Sequence, residues 1–498
     1  MPRLRLFRAG YGLSGLALCI LGVGLLAVVA APMLAGAQSV PLLSCPVVPC
    51  DPGVRGGPAA AGGPIAGLSS DQTAFFDEGA SRFKEVDSVS GGISGEAGSG
   101  LGPRFNMNQC AGCHAQPAPG GTSPMTNPQV AVAHDAAAGC ANNSACNPKN
   151  LQFTFLGGTP FAQPFISANG PVREARFVNN PDGTPDGGVH DLFTISGRSD
   201  APGCSLAQPD FAAANSSGNL RARIPTPTFG DGLIAAIPDS AIIDNQLANG
   251  TLKQTLGIHG AANHEGNAGT ITRFGWKAQN KSVEIFAGEA YLVEQGVSNE
   301  LFPNERGEPG DRPADGRQRV EPPDSCLFNG IPEDSTVFSA SSPTAAISDT
   351  VGFALFMEFL APPQPAPYSV SAVLGQTEFN AIGCSMCHTP YLETGKSSVA
   401  ALNDKRVDLY SDLLVHHMGT GLADNISQGA AGGDQFRTAP LWGAGQRIFF
   451  LHDGRTTDLL QAIEQHASPS SEANTVITAF NALPGPTQQA ILDFVRSL

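Results

Sequence analysis

Charge is scarce in this chain of 498 residues: only 14% are Asp, Glu, Lys or Arg. Positive charge is scarcer still, with 28 Lys and Arg against 44 Asp and Glu, a formal net charge of −16. So few cations cannot match a phosphate backbone or an anionic bilayer, which argues against nucleic acid and anionic membranes as partners. A basic partner is permitted. Long apolar runs are also missing, save one. It extends from about Leu13 to Ala31, follows Arg3, Arg5 and Arg8, and leads to the small residues Ala35-Gly36-Ala37. That is the pattern of an export signal over residues 1–37, leaving a mature chain that starts near Gln38. The membrane is reached only if the signal stays uncleaved. The expected location is therefore periplasmic or secreted.

Uninterrupted secondary structure is equally hard to find. The chain has 59 Gly and 40 Pro, which break helices and strands and favour a loop-rich product. No βαβ alternation surrounds the cysteine motifs, and no repeat longer than those motifs is visible. Of the 11 cysteines, Cys19 lies in the signal and four lie in the motifs below. Cys45, Cys50, Cys140, Cys146, Cys204 and Cys326 remain and can pair in an oxidising compartment. Short separations favour Cys45 with Cys50 and Cys140 with Cys146.

What is present is one motif, twice. "NMNQCAGCHAQPAPGG" covers residues 106–121 and "NAIGCSMCHTP" covers 380–390. Each holds two cysteines three positions apart with a histidine directly after the second. A thioredoxin-like pair needs only the cysteines. A zinc site joining both pairs leaves His114 and His388 at the same offset without a purpose. The full pattern is the attachment signature of c-type haem: both thiols form thioethers with the vinyl groups, and the histidine becomes the proximal ligand. Cys110, Cys113 and His114 thus predict one covalent haem, and Cys384, Cys387 and His388 a second.

The surroundings suit that reading. After a Pro/Gly/Ala-rich lead-in over 38–70, "SSDQTAFFDEGASRFKEV" predicts a helix with Asp71 as N-cap and Phe75, Phe76, Ala80 and Phe83 on one face. "SAVLGQTEFNAIG" predicts a short helix running into Cys384. "TQQAILDFVRSL" predicts an amphipathic terminal helix with Ile491, Phe494 and Val495 on one side. Residues 150–340 hold β-like runs, "LQFTFLGG" and "PVREARFV", among turns. The expected fold is mainly α and loop-rich: two cytochrome c-like haem domains, over 71–345 and 346–498, with a short-stranded β insertion between them.

Reactivity depends on the far side of each iron, since two strong ligands make an electron carrier and an open position makes a catalyst. The candidates are His134, His190, His259, His264, His416, His417, His452, His466 and Met418. His466 is the best placed, because Leu459, Ala462, Ile463 and His466 share a helical face in "TTDLLQAIEQHASP". Met418, in "DLLVHHMGTG", is its rival as a thioether ligand.

Taken together, "FNMNQCAGCH", "RFGWKAQNKSVEIFAGEAYLVEQGVSNELFP", "YSDLLVHHMG", "RTAPLWGAG", "FLHDGRTTDLLQAIEQH" and "ILDFVRSL" resemble the di-haem oxidoreductase family, also called thiol oxidoreductase-like. That family is related to bacterial di-haem cytochrome c peroxidases. The resemblance covers residues 70 to 498. It implies that the haem of Cys110, Cys113 and His114 is the reaction centre and that the haem of Cys384, Cys387 and His388 is an electron relay. His466 matches the relay's second ligand, and Trp276 matches a tryptophan between the haems. Arg437 and Arg455 flank the second haem's motifs and are candidates for its propionates. One departure stands out: "FGDGLIAAIPD" has Ala235 where relatives often carry glutamate. If that glutamate is the acid/base beside the distal oxygen, Ala235 weakens the peroxidase reading and favours an oxygenase or a pure redox role, unless Glu289 or Glu294 substitutes; Glu294 is taken as the catalytic candidate with Trp276. Phe286 and Tyr291 are candidates to line an apolar pocket. The implied activity is an exported peroxidase-like oxidoreductase, with peroxide or dioxygen at the first haem and a small redox protein as electron donor. The alternatives are an electron-transfer cytochrome without a substrate and an oxygenase acting on an apolar substrate. Peroxidase relatives hold calcium between domains, but no ligand spacing here supports it.

Overall fold

The first helix begins at a capping box. Ser69 is extended, its hydroxyl accepts from the Gln72 N–H, and the Gln72 side chain accepts from the Ser69 N–H. Helix α1 (Ser70–Arg82) follows, so Ser69 and not Asp71 is the cap; Asp71 sits in the first turn, where its charge favours the helix N-terminus. Phe76, Ala80 and Phe83 are buried as expected, and Phe75 is half-buried. The computed structural model describes residues 47–133, 165–308, 311 and 321–498. These all fall within one unit spanning residues 39–498. The predicted signal over 1–37, Cys45, His134, Cys140, Cys146 and the run "LQFTFLGG" lie outside the described residues. No helix among those described is long and apolar enough to cross a membrane.

A single helical turn, α2 (Cys110–Cys113), carries the first motif. The chain then forms an antiparallel sheet of β1 (Glu174–Phe177), flanked by β2 (Val189–His190) and β3 (Leu220–Arg223), with Ala175 opposite both His190 and Ala222. The strand predicted within "PVREARFV" is therefore present. Phe105, Phe193 and Phe211 fill the core beside it, and a Cys204–Cys326 disulfide joins segments 122 residues apart. Cys50 is also disulfide-bonded.

The largest core lies around α1, α3 (Asp231–Ala236), α4 (Val283–Glu294) and α5 (Asp349–Phe359). Phe76 and Phe83 of the first segment meet Phe356 at 5.4 and 4.8 Å between ring centres. A Cβ at Gly79 would overlap the Gly352 carbonyl, so α1 and α5 cross at a glycine pair. A further core joins α6 (Val370–Ala381), which leads into the second motif, to the terminal helices. Short strands were expected only in the insertion, yet they recur at Leu392–Glu393 with Arg406–Val407, and in β4 (Val415–His417) with β5 (Gln435–Arg437). Loops this long need partners for their buried N–H and C=O groups, and short ladders provide them. After these come α7 (Leu459–Glu464) and the terminal α8 (Gly485–Ser497), with Ile491, Phe494 and Val495 buried as predicted. The result is a mixed, helix- and loop-rich fold with small sheets.

Candidate functional site

The one turn of α2 brings Cys110 and Cys113 together and ends at His114. The Cys110 sulfur accepts a hydrogen bond from Gln295 at 2.9 Å. Burial, reinforced by the negative charge of Glu294, holds both thiols well above the ordinary cysteine value. The His114 Nδ1 is 3.0 Å from the Gly121 carbonyl, so Nδ1–H donates and Nε2 keeps its lone pair. Glu294, the last residue of α4, has Oε2 3.9 Å from that Nε2, too far for a direct hydrogen bond. The adjoining cavity, about 90 Å³, has a mixed wall: Met107, Cys113, Val172, Ile224, Phe286 and Val293 on the apolar side, and Arg173, Arg176, Arg223, Gln279, Glu289 and Glu294 among the polar groups. Glu289 is tied to the Asn280 amide.

The second motif begins where α6 ends. Gly383 takes a positive φ of 100°, a conformation that costs glycine little and turns the helix into Cys384. Burial pushes the Cys384 thiol up to about 12, with Cys387 adding to the rise. The His388 Nδ1 is 3.0 Å from the Tyr410 carbonyl. Its cavity of about 230 Å³ is largely apolar, with Phe379, Leu459, Val476, Phe480 and Ile491 in the wall. His466 stands in the same wall, just beyond α7, with Nδ1 2.7 Å from the Ala462 carbonyl. Both imidazoles thus spend Nδ1–H on a backbone carbonyl and leave Nε2 free, which is the orientation a metal-ligating histidine needs. Burial pushes His388 down to about 4, with a contribution from the nearby His466, and burial also lowers His466. Neutral rings with a lone pair follow. Met418, between β4 and residues 419–422, lines the cavity as well.

Trp276 lines both cavities and is the one described residue that does. Its Nε1–H donates to the Ile224 carbonyl at 2.8 Å, and the Arg447 guanidinium lies 5.7 Å from its ring. Arg437 is in the wall of the second cavity, as expected of a propionate partner, but Arg455 is not. It pairs with Asp453 and donates to the Gly421 carbonyl at 2.7 Å. Tyr291 also departs from expectation. It is buried away from both cavities, its hydroxyl 3.1 Å from Asp349, because α4 turns this residue toward α5 and Phe286 toward the cavity. Ala235 is exposed on α3 and lines neither cavity, so a glutamate there would face solvent. The inference against peroxidase chemistry drawn from it loses its basis.

The remaining histidines are otherwise engaged. His190 is ion-paired with Asp186 and Glu308, His417 pairs with Asp434, and His259 and His264 are exposed. His452 lines the second cavity but stacks on Phe436 at 4.3 Å. Cys387, Asp412 and His416 place ligand atoms within 4.8 Å of one another. This is not a metal site of its own: His416 is held between Asp412 at 2.9 Å and Glu472 at 2.8 Å. Burial opposes its charge, yet Cys387 and Asp412 push it well above the usual histidine value, and both of its ring nitrogens already face carboxylates. An imidazolium has no lone pair to give. Sequence reading missed Asp231, Arg447 and the arginines of the first cavity. The arginine inside the apolar run "GQRIFF" was the available signal for Arg447.

Residues 184–498 match the family described as "di-haem oxidoreductase, putative peroxidase". No curated protein sequence matches the chain. Among solved structures, hydrazine synthase of Kuenenia stuttgartiensis, pressurised with xenon, shares 16% identity over 32% of this chain, with a TM-score of 0.20. The match spans 56% of that chain, little more than half its length.

Proposed function

The chain belongs to the di-haem oxidoreductase family, and from that premise we propose an exported c-type enzyme that reduces peroxide. Cys110 and Cys113 would attach one haem with His114 as ligand, and Cys384 and Cys387 a second with His388. The donor chemistry fits: each motif adjoins a cavity, and each histidine has Nδ1–H satisfied and Nε2 free. When bound, haem supplies redox-active iron at each motif, reactive at the first and an electron store at the second.

The observation that carries the reading is the position of Glu294. Its Oε2 lies 3.9 Å from the His114 Nε2 and its side chain lines the cavity beside Cys113, so it would stand next to a haem held at this motif. Reduction of peroxide to water consumes two protons as well as two electrons. A carboxylate there can take a proton from the near oxygen of peroxide and return it to the leaving oxygen. Arg173, Arg176 and Gln279, set among apolar side chains of this wall, offer hydrogen bonds to a small polar substrate. Two neutral imidazoles, His388 and His466, give the second cavity a ligand pair for electron storage, which favours His466 over Met418. Trp276 bridges the cavities and shortens the path for electrons between them. The donor would be a small basic redox protein, in keeping with the charge of −16.

The deciding test is EPR of the holoprotein, fully oxidised and then reduced by one electron. A high-spin ferric signal in either state, followed by peroxide turnover, is the expected result. Two low-spin signals in both states, with Glu294 or another group as a fixed sixth ligand, would make the chain an electron carrier and overturn the enzyme reading.

A further inference from the structure

A small alcove opens from the second cavity. Its wall includes Thr226, Asp231, Trp276, Arg437, Trp442 and Arg447, and most of these also line the larger cavity. Three polar atoms there are buried without a partner: Asp231 Oδ2, Arg437 Nε and Arg447 Nη2. One other nitrogen of each guanidinium is used, Arg437 Nη1 on the Arg273 carbonyl at 2.7 Å and Arg447 Nε on the Phe449 carbonyl at 3.0 Å. Asp231 is the one carboxylate whose charge reaches either arginine, and it reaches Arg437 alone. Arg447 therefore has no counter-ion among the described residues. Burial, then the charge of Arg437, pushes it down to about 10. An unpaired buried charge and three unmade hydrogen bonds are costly. The two guanidinium N–H groups are completed by one carboxylate that enters from the second cavity, whereas Asp231 Oδ2, an acceptor, is not.

We infer that this alcove is the socket for one propionate of the haem bound at Cys384 and Cys387, clamped by Arg437 and Arg447. The inference rests on haem attachment at that motif, as proposed above. Arg447 is then a positioning residue with a second consequence. The propionate neutralises the guanidinium that lies 5.7 Å from the Trp276 ring. Left unpaired, that positive charge would oppose any oxidation of the tryptophan. With the anion seated, Trp276 faces a neutral pair, and the relay between the cavities is free of that barrier.

The experiment uses the haem-loaded protein with Arg447→Gln and Arg447→Lys. Haem content, by alkaline pyridine spectra, and the low-spin EPR signal test the parent reading: if the second motif of the wild type holds no haem, that reading fails before this one is reached. With both intact, Arg447→Gln removes the positive charge and exposes the propionate. The expected result is at least a tenfold shift of the second haem's reduction equilibrium toward the ferric form, equal to 59 mV lower for one electron. An unchanged potential at full haem content overturns the inference. If Arg447→Gln does not accumulate, Arg447→Lys decides. It keeps the charge and loses the planar fork, so the propionate bending band in resonance Raman must move; a band identical to wild type overturns the inference.

Discussion

At the scale of single residues, the first motif sets one carboxylate, Glu294, 3.9 Å from one imidazole, His114. Glu294→Gln keeps the shape and a hydrogen-bonding amide but cannot shuttle a proton. Peroxide turnover is expected to fall by about 10²–10⁴, with haem content and both EPR signals kept. A loss under about threefold, on the same basis, would remove Glu294 from the mechanism. The second cavity rests on a different pair. Glu472 is 8% exposed and pushed down to about 2: burial opposes this, but the hydrogen bond and charge of His416 prevail. A depressed carboxyl stabilises the fold fully above its unfolded value, about 4.3, and loses that contribution as pH falls toward 2. The wild type should therefore lose about 2–3 kcal/mol over this window, and Glu472→Gln should show a flatter acid-unfolding curve. Equal slopes would refute the assignment. The two Cys-x-x-Cys-His motifs were legible in the sequence because their order and spacing lie within five positions. Asp231 and Arg447 were not. Each is a lone charge in an apolar stretch, and only the folded chain brings them to one alcove.

At the scale of elements, helix identity was legible and helix boundaries less so. The amphipathic stripes of α1, α6 and α8 announced those helices. The cap at Ser69 was misread as Asp71 because both residue types accept at an N-terminus, and only the reciprocal Gln72 bond distinguishes them. Ser69→Ala should cost about 1 kcal/mol, whereas Asp71→Ala should cost less, as it loses only a first-turn charge. The reverse order in thermal unfolding would restore Asp71 as the cap. The clasp around the second motif is stricter. A Cβ at Gly375 would overlap the Ala490 carbonyl, so α6 and α8 touch backbone to backbone there. Gly375→Ala must push these helices apart at about 1–3 kcal/mol. Since α6 leads directly into Cys384, haem retention at the second motif should suffer before the first. Equal loss at both motifs would show that the clasp is not local. Nothing in the local sequence marks Gly375, because its constraint comes from a helix more than a hundred residues later.

At the scale of the whole molecule, one property read from composition bears directly on partnership. The chain carries −16, and several of its described cations, Arg82, Arg104, Arg198, Arg223 and Arg496 among them, are bound to carboxylates. The field outside the molecule is therefore negative over distances longer than a hydrogen bond, and it steers a positive partner toward encounter. Salt shortens that reach to about 10 Å at 0.1 M. With peroxide saturating and a basic c-type cytochrome as donor, kcat/KM should fall about tenfold between low and physiological salt. An acidic donor should be slow at low salt and speed up as salt is added. Glu294→Gln should lower both rates without changing either salt slope, since it acts after encounter. A basic donor whose rate ignores ionic strength would mean that charge does not choose the partner, and the −16 would then serve only solubility.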